Sequence, residues 1–349
     1  MDIILQNGTE TEMNRDGIVL LAKKSGPTSF GAIGSIKKAL ETTKAGHTGT
    51  LDSFAQGLLV VCTGRLTKLA GYITAFDKQY SAVIKFGEET DTLEYNGNII
   101  KKTACPKPQT LSDAVEKFMG TLMQTPPLFS AIHVNGKRSS DIARDGKTVE
   151  LPERKITVYN SNIKDTVLND DNTVAYALID FSVSKGTYIR SLARDIAISC
   201  GSSAHLIGLY RTKVGNFSIE DAAGYNEIKN FTIDSAIEQM NLQKKITKEH
   251  STENKNHKND EKLKNEILSS MQCFTPELSI SCGFTNLYLK DEKADIDFCN
   301  GKPLRSAFFG ADLHDFKNET IFAVFKEKTF RGLFTKDADG RLHHNFIIN

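Results

Sequence analysis

Tryptophan is absent from the 349 residues, so any ring that stacks on a ligand must come from the 9 tyrosines or 20 phenylalanines. The six cysteines, Cys62, Cys105, Cys200, Cys273, Cys282 and Cys299, are scattered, and no C-x-x-C pair occurs. That spacing excludes a zinc ribbon and a dense disulfide framework, and it fits a reducing, cytoplasmic setting. No apolar run approaches the ~18 residues that a membrane span requires. The start of the chain, Met1-Asp2-Ile3-Ile4-Leu5, carries an early acid and lacks the apolar stretch of a signal peptide. Neither sign of charge dominates: 44 Lys and Arg against 43 Asp and Glu leave +1. A nucleic-acid partner must therefore be met by a local patch. No metal-ligand spacing stands out.

What is present concentrates in Gly46-His47-Thr48-Gly49-Thr50-Leu51-Asp52 and the Ser53-to-Leu59 stretch behind it. Two glycines within four residues describe a tight loop whose backbone can approach a ligand closely. Asp52 is the only acid between Glu41 and Asp77. A helix cap is the plain role for such an aspartate. The chemical role is nucleophile or general base, and it requires a cationic partner in a partly dry pocket.

Ser184-Lys185-Gly186-Thr187-Tyr188-Ile189-Arg190 offers that partner. The glycine permits a sharp strand-to-helix turn, and Arg190 falls in the first helical turn, with Arg194 on the same face. A guanidinium there could hold a carboxylate through two bonds. Lys185-Gly186-Thr187 resembles the tail of a phosphate loop, but the glycine spacing that should precede it is missing. Tyr80 lies on an alternating strand, Lys78 to Gly87, where it serves the core or presents a ring and a hydroxyl to a ligand. Gln124-Thr125-Pro126-Pro127 begins a rigid extended segment, and Lys137, Arg138 and Arg144 form a basic patch after it.

Hydrophobic periodicity predicts strands over 17–22, 156–163 and 174–183, and helices over 30–40, 112–120 and 188–199, with Ser29 capping the first. Without regular βαβ alternation, the fold class is α+β: a mixed, mostly antiparallel sheet with packed helices. Lys244 to Glu266 holds seven Lys and five acids with only Ile246 and Leu263 apolar. Too little can be buried there to offset ordering, so residues 244–268 read as a charged flexible linker or a solvated helix. The chain then divides into a catalytic domain (1–243), this linker, and a small β-rich C-terminal domain (269–349). Within that last part, 278–289, 321–326 and 329–334 read as strands, with turns at Asn300-Gly301 and Asp339-Gly340.

Taken in order over residues 17–218, these motifs resemble the TruB family of tRNA pseudouridine synthases. The resemblance rests on the Gly46–Asp52 loop, Lys78-Gln79-Tyr80, Thr90-Asp91-Thr92, Gln124–Ala131 with its following segment, Ser184–Leu192, and Ala204-His205-Leu206 with Leu209. It implies a pseudouridine synthase catalytic fold and a cofactor-free enzyme, expected to act as a cytoplasmic monomer on tRNA. The reaction implied is isomerisation of the T-loop uridine at position 55. Asp52, Tyr80 and Arg190 are the implied catalytic residues. His47, Gly49, Thr50, Lys23, Lys185, Tyr188 and Leu209 are the implied substrate-binding residues, and the C-terminal domain stands where the family carries a small RNA-binding domain of PUA type. Lys24 replaces the proline usual after Lys23. Competing readings are an RNA-binding module, a nucleoside hydrolase using Asp52, and a guide-RNA-directed synthase.

Overall fold

The computed structural model describes residues 15–134, 136–146, 149–249 and 257–348. Met1 to Leu5, Asn135 and the middle of the expected linker lie outside the described residues. A nine-stranded sheet organises the first two-thirds of the chain. Its main path runs Gly17–Lys23, Gln56–Thr63, Ala204–Val214, Lys78–Phe86, Val174–Val183, Arg154–Leu168 and Gly120–Gln124. Every pairing on this path is antiparallel except one: Tyr210 and Arg211 run parallel to Gln56 and Gly57. The sheet is thus mixed and mostly antiparallel, as its sequence pattern predicts.

Central strands are apolar on both faces because both are covered. On one face, Ala82, Ile84, Phe181 and Leu206 pack with Leu111 and Val115 of the Pro108–Lys117 helix and with Ile189, Leu192 and Ile196 of the Ile189–Ser199 helix. On the other face, Val83 and Ile207 meet Ile233 and Ala236 of the Ile233–Glu249 helix. Leu40, Ile33 and Ile36 of the Ser29–Ala39 helix or its end cover Val19 and Leu21.

Three local expectations change. Thr28, not Ser29, caps the first helix, its side chain accepting from Gly31 N at 3.0 Å. Ser29 is buried and turned instead toward Leu51. The helix expected over 112–120 runs Pro108–Lys117, proline suiting its first turn, and Gly120 already opens a strand. The apolar run expected as a strand over 278–289 splits into the Pro276–Ser281 helix, capped by Thr275, and the Thr285–Tyr288 strand.

The segment expected as a flexible linker or a solvated helix contains a helix, His257–Ser270, and it is docked on the first helix rather than solvated on all sides. Two of its apolar positions suffice: Ile267 is fully buried and Leu263 packs beside it. Glu266 accepts a bond from Gly224 N at 2.7 Å, which fixes the helix further. Beyond it, strands Thr285–Tyr288, Thr320–Lys326, Thr329–Lys336 and Leu342–Ile347 form a four-stranded sheet. That sheet shares a core with the large one. Phe274, Phe284, Phe325 and Phe330 pack in one cluster with Ile18, Leu20, Leu58 and Val60. Ile18 and Gln272 exchange both backbone bonds at 2.9 Å.

Candidate active site

The Asp52 loop joins the short Ala45–His47 strand to Gln56–Thr63. Leu51, Phe54 and Ala55 are buried in the main core and pin the loop at three points, while the Asp52 side chain between them stays partly exposed. Ser29 Oγ donates to Leu51 O at 2.9 Å and accepts from Leu51 N at 2.8 Å. Gly26 N donates to Ser53 O at 2.8 Å. The loop is therefore a braced turn, consistent with its glycine pattern.

Arg190 enters from the first turn of its helix and is 3% exposed. Its Nη2 donates to Asp52 Oδ1 at 3.1 Å, and its Nε lies 3.0 Å from Oδ2 as a charge contact without hydrogen-bond alignment. The same guanidinium donates to Thr92 O and Phe129 O, each at 3.0 Å, and touches Glu94 Oε1 at 3.1 Å. A buried guanidinium needs partners for its donors, and here they come from three separated segments: Asp52, the Thr92–Glu94 turn and Phe129. Arg194 does not share the site. It pairs with Asp195 and donates to Thr125 O at 3.2 Å.

Glu94 is the residue that motif reading missed. The only signal was its place two residues after Thr90-Asp91-Thr92. Leu93 between them adopts φ +59°, a left-handed conformation unusual for a branched residue, and is 5% exposed. This kink turns both Thr92 O and the Glu94 carboxylate onto Arg190. Asp91 closes the turn by accepting from Asn98 N and Nδ2 at 2.9 and 3.0 Å. Burial, reinforced by the Asp52 charge, pushes the Glu94 carboxyl up to about 7, and Arg190 only partly opposes it. One cation shared by two carboxylates cannot hold both fully, and the more buried acid gives way.

Tyr80 and Leu209 stand on the face that carries this loop. Leu209 is paired with Ala82 and Arg211 with Tyr80 across adjacent strands, and Tyr80 and Leu209 pack on the main core. His47 is half-buried beside the loop, with a buried Nδ1 that has no hydrogen-bond partner among the described residues. Burial first, then the Arg211 charge, lower its pKa below the usual histidine range. Thr50 is exposed and Gly49 half-buried, with φ +149°. Lys185 is exposed. Tyr188 caps the Arg190 helix: Gln124 accepts from its N–H at 2.9 Å and donates to its carbonyl at 3.1 Å. Arg154 lies over its ring at 5.6 Å.

Lys23 departs from its expected substrate-binding role. It is 1% exposed, and its Nζ sits 2.6–3.3 Å from the carbonyls of Ala55, Lys24, Asp52 and Ser53. Its pKa is lowered to about 8 by burial. The side chain is a strut under the Asp52 loop, spent on backbone carbonyls and inaccessible to a substrate.

An aspartate on a braced loop, held by a buried arginine, is the arrangement of a fixed, ionised carboxylate available for chemistry. The comparisons narrow that chemistry. Residues 37–189 match the TruB family pseudouridylate synthase (N terminal domain). Over 312 residues, 85% of this chain and 87% of the relative, the chain is 39% identical to the tRNA pseudouridine synthase B of Treponema denticola. It is 44% identical over 208 residues to that of Borreliella burgdorferi, covering 59% of this chain and 72% of the relative. Among solved structures, a chain of a Cbf5-Nop10-Gar1 complex superposes with a TM-score of 0.63 at 21% identity, over 97% of this chain and 86% of that one. The chain belongs to the TruB family of pseudouridylate synthases.

Proposed function

We propose that this protein isomerises a uridine of tRNA to pseudouridine, and that its target lies in the T loop, at position 55. The observation that carries the reading is the Asp52 carboxylate lifted from a braced loop onto a buried Arg190. That arrangement supplies a fixed anionic group with its counter-charge in place, as chemistry at a ribose requires.

The target base flips out of the RNA, since a base inside a folded loop is out of reach, at a cost on the order of a few kcal/mol. His47 fills the space it leaves. Tyr80 stacks on the uracil, and Leu209 forms the apolar wall behind it. Asp52 starts cleavage of the C1′–N1 bond, by attack on the ribose or by removal of a ribose proton. The uracil turns, and C1′ bonds to C5. The C5 proton leaves, with Tyr80 placed to assist, and N1 gains one, so the product is an isomer and nothing is released. Thr50, Gly49, Lys185 and Tyr188 line the approach and meet the RNA. The C-terminal unit adds affinity for tRNA, and the protein works as a cytoplasmic monomer.

The test is tritium release from tRNA labelled at C5 of uridine, comparing the full chain with Asp52→Asn. Release by the wild type alone, with tRNA bound by both, is expected. Free uracil in place of tritium release would mark a hydrolase, and binding without either would mark an RNA-binding module.

A further inference from the structure

Arg211 is 2% exposed and among the largest fully buried side chains, and among the described residues no carboxylate lies within ion-pair distance of it. A buried charge without a counter-ion is costly unless dipoles replace the water it has lost. Here carbonyl oxygens do so. Nε donates to Leu58 O at 2.8 Å, Nη2 to Gly49 O at 3.0 Å and Nη1 to Thr50 O at 3.5 Å. Gly49 and Thr50 precede Asp52, and Leu58 follows it. The guanidinium fork therefore ties the two arms of the catalytic loop together.

Backbone contacts around Arg211 have the same effect. Arg211 pairs with Tyr80 on one side and with Gly57 on the other. A Cβ on Gly57, whose φ is +114°, would lie 2.4 Å from Arg211 O, so glycine is what lets the loop's end meet this strand. The loop thus rests on two buried cations. Lys23 holds the carbonyls of Asp52, Ser53 and Ala55, and Arg211 holds those of Gly49, Thr50 and Leu58.

We propose that Arg211 is a positioning residue for the reaction, a buried clamp that sets Asp52 relative to Tyr80 without touching the substrate. This rests on the synthase reading above. It explains why a charge is kept where an apolar side chain would cost less: only a planar fork reaches carbonyls on both arms at once. A displacement of about 1 Å at the reacting atoms costs on the order of 100-fold in rate, so a loosened loop should lower turnover and spare binding.

The experiment uses the full chain with Arg211→Lys, which keeps the charge and loses the fork, and Arg211→Met, which loses both. Single-turnover tritium release at saturating tRNA and tRNA affinity by filter binding are measured at a temperature where each variant is folded by circular dichroism. The expected result is a rate lowered about 10- to 100-fold in Arg211→Lys, and further in Arg211→Met, with affinity within about 3-fold of wild type. If Arg211→Met does not fold, the comparison of Arg211→Lys with wild type decides the matter alone. A wild-type rate in Arg211→Lys overturns the proposal, as does a loss of rate matched by an equal loss of affinity. A wild type that releases no tritium sinks the synthase reading instead, so the two failures are distinct.

Discussion

Replacing Glu94 with glutamine removes a charge from the active centre while keeping its shape and an oxygen for Arg190. The Glu94 pKa lies near 7 in the folded chain against 4.5 for a free glutamate. Between those values the folded state holds more of a proton than the unfolded one, so Glu94 makes stability fall as pH rises from about 4.5 to about 7, and adds no further slope above. A difference of about 2.5 in pKa, at 1.36 kcal/mol for each, is a full penalty of about 3 kcal/mol at alkaline pH. Glu94→Gln carries no such penalty. In urea unfolding, its stability relative to wild type should therefore rise by about 2–3 kcal/mol between pH 5 and pH 8. A gap that does not change with pH would refute the reasoning. A gap that closes or reverses toward high pH would mean that the 3.1 Å contact with Arg190 outweighs burial and the neighbouring Asp52.

Gly57→Ala must force a left-handed φ onto alanine and push a Cβ against the Arg211 backbone. It should cost at least about 2 kcal/mol in unfolding experiments and lower turnover as well, whereas an unchanged melting curve would contradict the close approach. Phe274→Ala opens a void among Phe284, Phe325 and Phe330, whose rings lie 6.0, 6.4 and 4.6 Å away. A loss of about 3–5 kcal/mol is expected, in a transition that includes the large sheet. Separate melting of the C-terminal unit, with the remainder unchanged, would count against a shared core.

Several features of this chain could be read without coordinates. Asp52, Tyr80 and Arg190 each sit in a short motif whose glycine, aromatic or helix-start pattern follows from local backbone chemistry, and the structure brings the Asp52–Arg190 pair together across 138 positions. The α+β class follows from strand and helix periodicities that are also local. Local pattern fails where a side chain's role depends on what comes to meet it. Lys23 reads as an exposed cation in a stretch of two lysines, yet the fold closes four carbonyls around it.

The docking of the His257–Ser270 helix was not legible because few apolar residues among many charges give almost no periodic signal. One of them nevertheless becomes fully buried once the first helix is there to receive it. Glu94 and Arg211 carry no motif of their own. The first matters because Leu93 kinks the chain toward Arg190, and the second because a parallel strand contact sets it beside Gly57. The sequence by itself determined which groups are available for chemistry and where several of the strands and helices lie, since both depend on neighbours in the chain. Tertiary structure alone decided which charges are buried, which carboxylates share one arginine, and what holds the Asp52 loop still. Burial and Coulomb interaction depend on distance in space, and the partners here come from segments far apart in the chain.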